Sequence, residues 1–371
     1  MMLDRDIIGN LITVSNEKNN AGNDYEFYGI NKNKEFMPTV ASTDNLDKNK
    51  YKIVKKNRFV FSGMQTGRDK CIRIALYDLD IPALVSPAYT TFDVTSEKIL
   101  PEYLFMFFNS KEKDRYGAFL SDGSVRANLD WDVFCNIEID IPPINIQRKF
   151  VDIYNGLKQK ILILSSNIDD LKYICDINID RFKKKYPKEE LGNYIHRTDN
   201  KNTNNLIKKV YGVSTSKEFR EPTSKVNKNE LSSYKIVRPR EISFVQTTHN
   251  EKVFANAINE FGEDIVVTSV NEVFYTDESK ILPEYLVMFF SRKEFDRYAR
   301  FNSWGSARET FTWNDLQEVK MSIPPIPEQK SIVRIFNNYK KRKKMINDLT
   351  EILNNICPIL INGSLKEANN E

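Results

Sequence analysis

The sequence predicts a mixed α+β protein built as a tandem pseudo-repeat, each half an α/β domain followed by a long helix. Three observations predict this. First, Ile99-Leu100-Pro101-Glu102-Tyr103-Leu104 recurs as Ile281-Leu282-Pro283-Glu284-Tyr285-Leu286. At the same offset Asp114-Arg115-Tyr116 returns as Asp296-Arg297-Tyr298, Trp131 as Trp313, and Ile141-Pro142-Pro143-Ile144 as Ile323-Pro324-Pro325-Ile326. Self-similarity at one offset of about half the chain marks an internal duplication. Second, each copy holds short β-branched runs of strand type, then an apolar helix opened by proline. Third, each copy ends in apolar residues spaced alternately four and three, the seam of a paired helix.

In chain order, Arg58-Phe59-Val60-Phe61 and Asp264-Ile265-Val266-Val267 read as strands bounded by turn residues. Pro101 and Pro283 stand where proline is tolerated, at a first helical turn, and the Met-Phe-Phe segments that follow face a core. After the Pro-Pro break, Leu157, Ile161, Leu164, Ile168, Leu171 and Cys175 form a seam that predicts one helix from about Asn145 to Lys185, before Pro187. The second seam is Ile346, Leu349, Leu353, Ile356 and Leu360, and Pro358 should end or kink that helix. The domains are therefore 1–143, then a helix over 144–186, then 187–325, then a second helix and tail over 326–371. An antiparallel pairing of the two helices would make a coiled coil.

Composition narrows the function. The chain has 371 residues, 55 Lys plus Arg against 51 Asp plus Glu, and a net charge of +4, too little for a polycation but enough for local basic patches. Four scattered cysteines and two histidines make neither a disulfide framework nor a zinc cluster. The start, Met1-Met2-Leu3-Asp4-Arg5-Asp6, carries no signal region, and no apolar run is long enough to span a bilayer. A soluble, cytoplasmic protein is expected. Catalytic signatures are missing: Gly63 and Gly67 are followed by Arg68-Asp69 where a phosphate loop needs Lys-Ser/Thr, and Ile141-Pro142-Pro143-Ile144 lacks the polar head and aromatic tail of an amino-methyltransferase loop. Asp277, Glu278 and Lys280 have nuclease-like spacing, but the first copy reads Thr95-Ser96-Glu97-Lys98 there.

A duplicated α/β part, a Gly-Ser-x-Arg segment (Gly123–Arg126, Gly305–Arg308), an Ile-Pro-Pro-Ile-Pro-Glu-Gln junction and a long helix, twice over, resemble the DNA-specificity subunit of Type I restriction–modification enzymes. The resemblance implies two target-recognition domains, each reading half of a split, asymmetric site, spaced by paired helices. It implies double-stranded DNA, two methyltransferase subunits and restriction subunits as partners, and no membrane. S-adenosylmethionine, ATP and Mg would sit on those partners, with no cofactor and no active site in this chain. The first junction departs from the pattern, reading Ile144-Asn145-Ile146-Gln147, so any partner contact of Glu328 has no counterpart there. The alternatives are a specificity subunit serving one combined methylation-and-cleavage partner, and a protein-only scaffold or decoy of the methyltransferase.

Where the copies differ in polar loops after matched strands, they should read different bases. That assigns Gln65, Thr66, Arg68 and Lys70 in the first copy, and Gln246, Thr247, His249, Asn250 and Lys252 in the second. Gln, Asn and Arg can pair bidentately with purine edges, and Thr with a base or a thymine methyl, while Lys suits phosphate. Ser124 and Arg126, with Ser306 and Arg308, occur in both copies and so suit a phosphate contact. A spacer helix of roughly 40 residues would span about 60 Å, leaving about six to ten unread base pairs between half-sites.

Overall fold

The computed structural model describes residues 3–39, 46–124, 126–247, 253–305 and 309–370. Among them the helices are α1 (Thr66–Asp69), α2 (Pro101–Phe108), α3 (Lys111–Leu120), α4 (Trp131–Cys135), α5 (Ile144–Ser165), α6 (Ile168–Lys185), α7 (Pro283–Phe290), α8 (Lys293–Phe301), α9 (Trp313–Gln317) and α10 (Ile326–Asn370). The chain forms two compact units: Met1–Ile163 with Met345–Glu371, and Leu164–Lys344. The first unit is thus discontinuous, and the end of α10 belongs to it.

In the first unit, Ile12–Val14, Thr90–Val94, Arg58–Ser62 and Arg73–Leu76 make an antiparallel sheet in that order. A second sheet orders Phe36–Pro38, Phe27–Ile30, Ala83–Val85 and Lys52–Val54, its middle pair parallel. Asp4–Ile7 pairs with Glu138–Ile141. Phe59, Phe92, Phe108 and Phe134 are fully buried, with the Phe59 and Phe92 rings stacked 4.9 Å apart. Burying such a ring contributes about 1.5–3 kcal/mol. Helix α2 starts at Pro101, a first-turn position that has no amide to lose, and turns Tyr103, Leu104, Met106 and Phe108 into this core. Val151 and Tyr154 of α5 meet the same core, as do Cys357, Leu360 and Ile361 of α10. The two helices run antiparallel here: Lys149 bonds Glu367 at 2.8 Å, and the Tyr103 hydroxyl lies 2.7 Å from the Ser364 Oγ.

The second unit repeats the plan. Ile195–Thr198, Asn271–Thr276, Ile242–Val245 and Asn256–Ile258 form its main sheet, and Lys188–Glu190 pairs with Lys320–Ser322. Phe254 packs edge-on to Phe290, Phe295 and Phe311. Helix α6 runs antiparallel to the first part of α10, with Lys185 2.8 Å from Glu328 and Arg342 beside the α5–α6 junction. Glu328 also accepts from the Tyr186 hydroxyl, so its contacts lie within the chain.

One helix expectation is corrected, and the expectation that Pro358 would end or kink its helix is narrowed. The helix expected from Asn145 to Lys185 is broken at Ser166 and Asn167. Asn167 adopts the left-handed conformation (φ 59°), which asparagine tolerates better than most residues. The Arg342 guanidinium donates to the carbonyls of Leu164 and Ser166, both at 2.8 Å, replacing the amides that a continuing helix would offer. Pro358, in turn, does not end its helix: α10 continues to Asn370. Cys357, Leu360, Ile361, Ser364 and Ala368 are buried on either side of it, so packing holds the helix while the carbonyl left without a donor belongs to exposed Asn354.

Two polar devices occur once in each unit. Gln147 is fully buried; its amide donates to the carbonyls of Lys98 and Pro142 and its oxygen accepts from the Leu100 amide. Gln329 makes the same three bonds to Lys280, Pro324 and Leu282. One glutamine thereby fastens the start of α2 or α7 to the start of the long helix. Gln147→Ala should destabilise the first unit by about 1–3 kcal/mol by leaving a buried amide and two carbonyls unpaired. Urea unfolding of the full chain measures this, and a change below about 0.5 kcal/mol would contradict it. Similarly, buried Lys34 bonds Asp114 at 2.7 Å, and Lys217 bonds Asp296 at 2.7 Å. Each aspartate also accepts a sheet-edge amide, from Ile72 and Phe254 respectively.

Candidate nucleic-acid interface

The first copy's polar loop leaves the core strand Arg58–Ser62 at Gly63 and turns into α1. Gly63 lies so close to the chain after α3 that a Cβ would stand 2.0 Å from the Leu129 carbonyl oxygen. The Leu129 amide donates to the Gly63 carbonyl at 2.9 Å, the Gly67 amide to the Ala127 carbonyl at 2.9 Å, and the Gln65 amide to the Asn128 side chain at 3.0 Å. These bonds zip the loop carrying Gln65, Arg68 and Lys70 to the segment carrying Ser124 and Arg126. Two stretches far apart in sequence thus make one surface.

Within it the side chains differ in availability. Arg68 is exposed, and its guanidinium donates to the Gln65 side chain at 2.6 Å and to Asp69 at 3.1 Å. Gln65 and Lys70 bracket α1 at φ 61° and 49°, a left-handed conformation costing non-glycine residues about 1–2 kcal/mol. Burial pushes the Asp69 carboxyl up, but Arg73 and Arg68 outweigh it and hold the group below its ordinary value. Thr66 is a correction. It is fully buried and its hydroxyl donates to the Gly63 carbonyl, so it holds the loop and faces no base.

Ser124 lies exposed in a tight turn. Its amide and hydroxyl both donate to the Asp122 carboxylate, at 3.2 and 2.7 Å, as does the Asn128 amide at 2.9 Å. These bonds, the Ser124 hydroxyl first, hold the Asp122 carboxyl below its ordinary value. The Asp122 carboxylate thereby organises this turn. Arg126 remains exposed and carries the cationic part alone.

The second copy is joined in the same way. The Phe311 amide donates to the Gln246 carbonyl at 2.8 Å, and Thr247 bridges to Thr310. The Gln246 side chain is turned inward onto Glu272, a buried carboxylate that also binds Arg197 through two bonds of 2.7 Å. Thr247 is half-buried at the rim. His249, Asn250, Lys252, Ser306 and Arg308 lie outside the described residues. Trp131 packs on Phe61, Phe92 and Phe134, and Trp313 on Phe274, so both are core.

The two carboxylates of the nuclease-like trio are otherwise engaged. Arg240 binds Glu278 and Glu284, and Asp277 accepts from the Ser279 hydroxyl and amide. No three His, Cys, Asp or Glu side chains among the described residues gather as metal ligands would. In the Lys340–Lys344 run, Lys340 pairs with Glu260 and Arg342 caps α5, leaving Lys341, Lys343 and Lys344 exposed. No described helix is long and apolar enough to cross a membrane. The two buried glutamines were legible only as identical letters in the repeated junction, with no chemical motif to single them out.

Residues 6–173 match the family described as Type I restriction modification DNA specificity domain. Among solved structures, the S subunit of a Type I restriction-modification system from M. genitalium aligns over 99% of this chain and 96% of its own, with TM-score 0.63 at 11% identity. The overall fold is therefore shared. The HsdS subunit from Thermoanaerobacter tengcongensis aligns over 99% and 95% at 14% identity, with TM-score 0.37, too loose a likeness to carry weight. No curated protein matches the sequence.

Proposed function

We propose, from the match of residues 6–173 to the Type I restriction modification DNA specificity domain, that this chain is the non-catalytic DNA-reading subunit of a Type I restriction–modification system. Each repeat reads one half of a split, asymmetric duplex site. Two methyltransferase subunits supply adenine methylation with S-adenosylmethionine, and restriction subunits supply ATP- and Mg-dependent cleavage. The assembly works on intracellular DNA, in the cytoplasm. One observation carries this reading. The loops after Arg58–Ser62 and Ile242–Val245 are held by equivalent bonds, Gly63 to Leu129 and Gln246 to Phe311, while the polar sequences that follow, Gln65-Thr66-Gly67-Arg68 and Thr247-Thr248-His249-Asn250, differ. A common frame followed by unlike polar sequences is what two different half-sites require.

The test is methylation mapping in cells carrying the methyltransferase with or without this chain. A two-part adenine-methylated motif should appear only with it. Exchanging residues 1–98 for those of a relative should then alter one half of the motif alone. Arg68→Ala should weaken discrimination at one position by about 1–3 kcal/mol, the worth of a bidentate contact to guanine. An unchanged motif after the exchange would place the reading surface elsewhere.

A further inference from the structure

Helices α3 and α8 keep one set of exposed residues identical between the two copies. On α3 the residues Lys111, Glu112, Arg115, Tyr116 and Phe119 are exposed, and on α8 their equivalents Lys293, Glu294, Arg297, Tyr298 and Phe301 are exposed and identical. Among the inner positions Asp114 and Asp296 are kept by their lysine pairs, but Lys113 is replaced by Phe295 and Gly117 by Ala299. Packing normally holds inner positions while a solvated face tolerates change within a few tenths of a kcal/mol. An outer face kept in both copies answers to something outside the chain.

The face has a definite chemistry. Phe119 is 81% exposed and Phe301 87%. Arg292 and Arg300 on or beside α8 are paired with carboxylates, whereas Lys111, Arg115, Lys293 and Arg297 have none in ion-pair reach among the described residues. Glu112 and Glu294 lie in the first turns, where the helix dipole favours a carboxylate. The face also adjoins the loops described above. Gly117 rests on Ile72 and Thr66, where a Cβ would stand 2.3 Å from the Ile72 side chain, and Ser121 leads straight into the Asp122 turn.

We propose that the outer faces of α3 and α8 grip duplex DNA beside each half-site without regard to sequence, Lys111 and Arg115 (Lys293 and Arg297) on phosphates and Phe119 (Phe301) seated in the minor groove. Unpaired cations complement a polyanion and extend the surface that reads bases. Identical residues beside two different half-sites need a contact that does not depend on sequence, and the minor groove offers a largely degenerate pattern to an apolar wedge. This inference rests on the DNA-reading function proposed above.

The test uses the full chain assembled with its methyltransferase subunits, a duplex bearing the mapped motif, and a scrambled duplex. Lys111→Ala with Arg115→Ala should lower affinity for both duplexes by about thirtyfold at about 0.15 M salt, reduce the salt slope by about two, and leave the methylated motif unchanged. Phe119→Ala should lower affinity by about tenfold with the slope unchanged, and abolish any bend read by end-to-end fluorescence transfer. Variants that bind both duplexes as the parent does would overturn the grip. So would variants that lose the methyltransferase on co-purification while the remaining assembly keeps its salt slope, since the face would then be a protein contact. A parent assembly with no preference for the mapped duplex would instead overturn the functional reading, and the two failures are separable.

Discussion

Asp114→Ala should destabilise the first unit by about 3–5 kcal/mol, the largest stability effect expected of a single substitution in this chain. The Lys34 side chain is only 3% exposed, and Asp114, 2.7 Å away, is its sole carboxylate partner among the described residues. Removing that carboxylate leaves a buried ammonium without a counter-charge and the Ile72 amide without an acceptor. The pair pins the hairpin of Phe27–Ile30 and Phe36–Pro38 to α3, so its loss should free both from the core. Replacing both partners, as Lys34→Met with Asp114→Leu, should restore most of the loss because no charge is then stranded. In the second unit, burial pushes the Lys217 ammonium below its ordinary value even with Asp296 opposing it, so Asp296→Ala should have the same sense. Denaturant titration of a chain with Trp304→Phe and Trp313→Phe, which leaves Trp131 as the only tryptophan, reports the first unit. A loss under about 1 kcal/mol for Asp114→Ala would show that water reaches the lysine.

Inserting four residues at the α5–α6 junction, near Ile168, should change which DNA is methylated. Four helical residues add about 6 Å and about 40° of rotation. The expected outcome is the same two half-sites with a longer spacer, or no methylation at all. Full activity on the original motif would mean that these helices do not set the spacing. The break at Ser166 and Asn167 makes the experiment gentler than a mid-helix insertion, because the added residues enter a joint that Arg342 already caps.

What was legible in the sequence was whatever local chemistry or the duplication itself enforces. Pro101 and Pro283 open α2 and α7, and the strands around Phe59 and Val266 lie where β-branched runs predict them. The seam residues Leu157, Ile161, Leu164, Ile168, Leu171 and Cys175 are all buried or half-buried, while Leu162 and Ile163 stand exposed. The break within that seam was hidden because Leu164 and Ile168 keep their spacing across it. Its cause is Arg342, remote in sequence and masked by a run of lysines. Pro358 misled in the opposite sense, since packing on both sides outweighs one missing amide. Among the candidate reading residues, type alone could not separate Thr66, buried beneath the loop, from Arg68, exposed on it. Nor could it show that the Asp122 carboxylate organises the turn carrying Ser124.

The discontinuity of the first unit bears on how the chain is made. Its core needs Cys357, Leu360 and Ile361, and Tyr103 needs the Ser364 hydroxyl, all from the last helix. A ribosome adding about 5–20 residues per second emits everything the second unit uses before it reaches these. For on the order of ten seconds or more, the apolar side of α2 waits uncovered while the later half can close around Phe254 and Phe311. Translation order and completion order are therefore opposed. A message cut short after Lys344 would leave the C-terminal half finished and the N-terminal half, synthesised first, still open.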